Sequence, residues 1–106
     1  MATGNILAEG NLDKLKILTA TYSPALVAAN TTAEQTFTLP GVAVGDFVYT
    51  NKPTAQAGLG IVGCRVSAAN TVAITFSNNT GSGITPTASQ AYLFLVARPD
   101  ATLAAF

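Results

Sequence analysis

The sequence predicts an all-β domain, an antiparallel β-sandwich or small barrel with an extended N-terminal arm. Three observations carry that expectation. Several short runs alternate apolar and polar residues with a period of two, the spacing of a strand with one buried face. Clusters of Gly, Pro, Asn and Ser interrupt them at intervals of roughly 10 residues, the rhythm of consecutive short strands. The length of 106 residues is that of one domain, with no room for a second core. The expected layout is an arm over residues 1–13, a sandwich over 14–98 and a tail over 99–106.

The first strand is the least obvious. Leu12, Leu15, Lys16 and Leu18 have a spacing that suits a short helix, but Ile17, Thr19, Thr21 and Tyr22 favour extended chain, so a strand is expected from Lys14 to Thr21. Glu34 to Leu39 places Phe37 and Leu39 on one face and Thr36 and Thr38 on the other, and Pro40-Gly41 ends it. Asp46 to Thr50 alternates again until Asn51-Lys52-Pro53, where proline offers no donor to a ladder. Gly60 to Ser67 and Thr71 to Ser77, joined by Ala68-Ala69-Asn70, read as a β-hairpin. The turn-rich Asn78 to Gly83 closes it, and Ile84-Thr85-Pro86 resumes an extended path. The last strand, Ala91 to Ala97, contains the unbroken apolar run Tyr92 to Val96. Such a run fits a strand buried on both faces or covered by a partner.

Composition narrows the function. Hydrophobic residues make up 49% of the chain, charged residues only 9%, and the formal net charge is zero. Soluble domains carry roughly 25% charged residues. Thr, Ser, Asn, Gln, Ala and Gly keep this surface wettable without the charge that discourages association. Sheet edges with few charges do little to block edge-to-edge pairing. A subunit that docks on neighbours is expected. Disorder is not, because low hydrophobicity and high net charge are both missing. The apolar segments are broken by Gly63, Arg65 and Arg98, so no membrane span is expected. The N-terminal Met1 to Asn5 has neither a basic stretch nor an apolar core to follow it, which implies synthesis in the cytoplasm. With no basic cluster, nucleic acid is not an expected partner.

Catalysis is not expected either. Histidine is absent, which removes the usual general base and the commonest metal ligand. The carboxylates Glu9, Asp13, Glu34, Asp46 and Asp100 are scattered and sit mostly beside turns, where acids serve solvation and capping. The lone Cys64 lies in an apolar run and reads as a small buried hydrophobe. Gly58-Leu59-Gly60-Ile61-Val62-Gly63 spells the dinucleotide-binding pattern, but that loop needs a strand before it and a helix within it. Here Ile61 onward is strand-like. Gly58 and Gly60 are assigned to a turn, and Gly63 to a bulge or close backbone contact. No catalytic residue, cofactor or metal site is assigned.

Two stretches carry a likeness. The first runs from Ala33 to Gly41, through Val44-Gly45-Asp46 and Asn51-Lys52-Pro53, to Gln56-Ala57-Gly58-Leu59-Gly60-Ile61. The second runs from Arg65 to Asn78 and continues with Ile84-Thr85-Pro86 and the final strand. Together they resemble small β-modules of tailed-phage virions, in capsid decoration (cement) proteins and in tail-fibre or appendage domains. The resemblance transfers no site. It implies a structural virion protein, made in the host bacterial cytoplasm and placed on the capsid surface, that binds between major capsid protein subunits as a homotrimer.

The alternative is a receptor-binding or tail-fibre tip. A chain without a shaft or trimerising helix fits decoration better, and Tyr22, Tyr49 and Tyr92 sit within strand patterns rather than in a sugar-binding groove. Interface residues are expected in the arm and first strand (Ile6, Leu7, Leu12, Leu15), in the tail (Leu103, Phe106), and at Arg65 and Arg98. Arg65 interrupts an apolar strand, which implies either an ion pair with Asp46 or another acid, or a place at an interface.

Overall fold

The structure, a computed structural model, describes residues 12–100. Six strands form two antiparallel three-stranded sheets: β1 (Leu12–Tyr22), β2 (Thr31–Thr38), β3 (Phe47–Asn51), β4 (Leu59–Ala68), β5 (Thr71–Asn78) and β6 (Gln90–Pro99). The first sheet has the order β1-β6-β3 and the second β2-β5-β4. The described residues contain no helix. The strand expected from Lys14 to Thr21 runs from Leu12 to Tyr22, because both of its ends pair with β6, at Pro99 and Gln90. Leu39 lies outside the β2 ladder; its amide donates instead to the Asn70 carbonyl at 2.9 Å.

The sheets pack through alternate side chains, as the period of two requires. Tyr92, Phe94 and Val96 of β6 face Val72, Ile74 and Phe76 of β5 across the core, with Tyr22, Val27, Leu39 and Val42 closing it. Tyr22 ties the layers together. Its ring stacks on Phe37 with centroids 4.5 Å apart, and its hydroxyl donates to the Thr38 carbonyl at 2.6 Å. Burial pushes the Tyr22 phenol up to about 12, with a smaller contribution from the Cys64 thiolate.

The β4–β5 hairpin forms as expected, through a two-residue connection at Ala69-Asn70. Asn70 takes a positive φ of 59°, a conformation asparagine tolerates better than most residues. Its side-chain oxygen accepts from the Gly41 amide, and its own amide donates to the Val42 carbonyl. The hairpin tip is thereby fastened to the β2–β3 connection. At the other end of β5, Asn78 is fully buried. Its side-chain amide donates to the carbonyls of Val27 and Ser82, and its oxygen accepts from the Thr80 amide and hydroxyl. One side chain therefore holds both the turn after β5 and the bridge of Val27 to Ile84.

Two sequence expectations are corrected here. Gly60 is not a turn residue; it pairs with Ser77 inside β4, and the turn closes earlier, where the Leu59 amide donates to the Gln56 carbonyl. Gly58 supplies the positive φ of 81° that this turn needs. The register shift between Ile61 and Gly63 confirms a bulge in β4. The second correction concerns Tyr92 to Val96. β6 is not buried on both faces of the chain: Leu93 and Leu95 are each 44% exposed.

Candidate functional site

The two sheets present unlike surfaces. On the second sheet the outward residues are mostly polar, the exposed Val62 of β4 being the large apolar exception. Thr36, Ala73 and Arg65 are register neighbours, as are Glu34 and Thr75, and Arg65 forks onto Glu34 with bonds of 2.8 and 3.0 Å. Arg65 thus pairs with an acid, and that acid is Glu34 rather than Asp46. Each partner stabilises the other's charged form, the hydrogen bond being the main cause.

The first sheet has an apolar outer face. Ile17, Leu95 and Tyr49 form one row across β1, β6 and β3; Leu15, Ala97 and Phe47 form the next; Thr19, Leu93 and Asn51 form the third. Phe47 is 73% exposed and Ile17 and Tyr49 are 71% exposed. The lysines of β1 take no part, because Lys14 and Lys16 alternate with Leu15 and Ile17. Among the described residues, none in these three rows is charged; Asp13, at the register break of β1, lies 3.6 Å from Lys14. An apolar surface of this extent rarely stays in water. Tyr49 belongs to it: it sits within a strand, β3, as expected, but its ring is exposed rather than packed in the core.

The residues expected at an interface are divided among several places. Leu15 lies on this face, and Leu12 is exposed at the start of β1. Arg65 is on the polar face. Arg98 is part of an internal clamp: it binds the buried Asp46 through two bonds of 2.9 Å and reaches the Gly41 carbonyl at 2.8 Å. Asp46 also accepts from the Ala43 amide at 3.0 Å. These contacts, the Arg98 bond foremost, hold its carboxyl below the usual carboxylate range. The clamp locks the β2–β3 connection to the end of β6. Ile6, Leu7, Leu103 and Phe106 lie outside the described residues.

Sequence reasoning missed Ile17, Phe47, Tyr49, Leu93 and Leu95. The signal was present in two places: a strand apolar at every position, and β3 placing Phe47 and Tyr49 at odd positions against Val48 on the core side. What was missing was the sheet order that sets β3 beside β6.

The grooves offer little chemistry. One of about 180 Å³ is lined by Thr50, Lys52, Thr54 and Gln56. The Lys52 ammonium donates to the Thr54 carbonyl and hydroxyl and to the Gln56 side-chain oxygen, which commits all three donors. Its pKa is lowered by burial. Cys64 packs half-buried against the core, and burial pushes its thiol up, away from the reactive thiolate. Among the described residues no three His, Cys, Asp or Glu side chains gather as a metal site, and no helix is long and apolar enough to cross a membrane. No protein-family model matches the chain, and no curated protein or solved structure is significantly similar to it.

Proposed function

We propose that this chain is a non-enzymatic structural subunit of a tailed-phage virion, one that decorates the capsid and stabilises it by binding between major capsid protein subunits. The observation that carries the structural role is the apolar outer face of the β1-β6-β3 sheet. Its exposed Ile17, Phe47, Tyr49, Leu93 and Leu95 stand where a solitary soluble domain places charge. The virion assignment draws on the resemblance of the Ala33 to Arg98 stretch to phage β-modules. A subunit that binds only the assembled shell stabilises it by mass action, without chemistry.

A second reading has one observation in its favour. Phe47 and Tyr49 are exposed aromatic rings on neighbouring outward positions of β3, and a receptor-binding or tail-fibre tip uses such rings to engage its target. Antibody labelling of intact particles separates the two. Label distributed over the shell supports decoration, label confined to the tail supports the tip, and unlabelled particles would remove the virion role altogether.

A further inference from the structure

The structural reading requires the outer face of the β1-β6-β3 sheet to be covered. Resting on that reading, we infer that its occupant is the same face of a second copy of this chain, and that the chain forms a two-fold dimer.

Area supports this. Leu15, Ile17, Phe47, Tyr49, Leu93 and Leu95 are between 44% and 73% exposed. Together they present on the order of 700 Å² per copy, so two copies bury about 1,400 Å², the size of a stable protein interface. Charge supports it too. A surface meeting its own copy brings like charges together wherever it is charged, and among the described residues the three rows of this face carry none. Shape is the third argument. A three-stranded sheet face is broad and shallow, and the partner that packs best on it is another sheet face, layered about 10 Å away as in a sandwich.

The second sheet decides the symmetry. A ring of three would seat the apolar face of each copy on a different surface of the next. The other broad surface of the chain, with Thr36, Thr75 and the Glu34–Arg65 pair, would leave polar groups facing Ile17 and Leu95 without partners. Apolar face on apolar face satisfies both copies at once and closes after two. The dimer leaves the polar faces outermost, free for the particle.

Sedimentation equilibrium of the full chain tests this, with Ile17→Lys/Tyr49→Lys as the interface variant and Thr36→Lys as a control on the polar face. The expected result is a dimer for the wild type and for Thr36→Lys, little changed by salt because the face is uncharged. The interface variant should dissociate at least about 100-fold more readily, with an unchanged far-ultraviolet spectrum to show that it folds. A wild-type trimer overturns the inference, as does a dimer that the double variant leaves intact. A monomeric wild type overturns it as well, including one that dimerises only after residues 1–11 or 101–106 are removed, which would assign the face to the chain's own ends. A monomer that still coats particles defeats the dimer and spares the virion role; a dimer that never binds particles does the reverse.

Discussion

Ile17 of β1 lies directly opposite Leu95 of β6, and both point away from the core. Their neighbours along each strand, Leu18 and Phe94, point into it. Two adjacent residues of β6 therefore have opposite duties, one holding the sandwich together and one available to a partner.

That division gives a first expectation. Phe94→Ala empties a fully buried site and should cost about 3–5 kcal/mol in urea unfolding. Leu95→Thr trims a side chain that is 44% exposed and suits a strand, so in protein dilute enough to be monomeric it should cost no more than about 1 kcal/mol. Comparable losses from the two variants would show that Leu95 is packed within the chain.

Asn78 is the polar keystone of the core. Asn78→Ala strands the Ser82 carbonyl and the Thr80 amide and should cost about 3 kcal/mol by thermal or urea unfolding. Asn78→Asp keeps the shape but turns an acceptor toward the Val27 and Ser82 carbonyls, and should be no better tolerated.

The two core tyrosines should respond differently to loss of a hydroxyl. The Tyr22 hydroxyl bonds to Thr38, so Tyr22→Phe should cost about 1 kcal/mol. The Tyr92 hydroxyl is buried with no hydrogen-bond partner among the described residues. Tyr92→Phe should leave stability unchanged or raise it by up to about 1 kcal/mol. Paired denaturant curves check the contrast.

Acid should weaken the fold through the Asp46–Arg98 clamp. The Asp46 carboxyl is held below its ordinary value by Arg98. Its contribution is therefore complete above the unfolded carboxylate value near 4 and is lost as pH falls through the lower folded value. Asp46→Asn should be less stable than the wild type at neutral pH and should lose less on acidification. Urea midpoints between about pH 6 and pH 2 check this; parallel curves for the two proteins would exclude the clamp as the source.

The fold was legible in the sequence to the extent that alternation and turn residues report it. All six strands were expected within one to three residues, and the β4–β5 hairpin was paired correctly, because a short connection leaves adjacent strands few alternatives. Long-range partners leave no such trace. Arg98 finds Asp46 from 52 residues away, and β3 joins β6 across 38 intervening residues, so neither the clamp nor the apolar face was visible from spacing. Tyr92 to Val96 shows the limit clearly. Its run of apolar side chains announced that both faces of the strand are hydrophobic, and only the fold revealed which one the chain itself leaves uncovered.

Hydroxyl-radical footprinting tests whether that uncovered face is an interface, since the radical oxidises exposed aromatic side chains. Compared between dilute protein and the assembled state, Phe47 and Tyr49 should be oxidised freely when dilute and protected on assembly, while Tyr92 stays protected in both. Equal oxidation of Phe47 and Tyr49 in the two states would contradict the account.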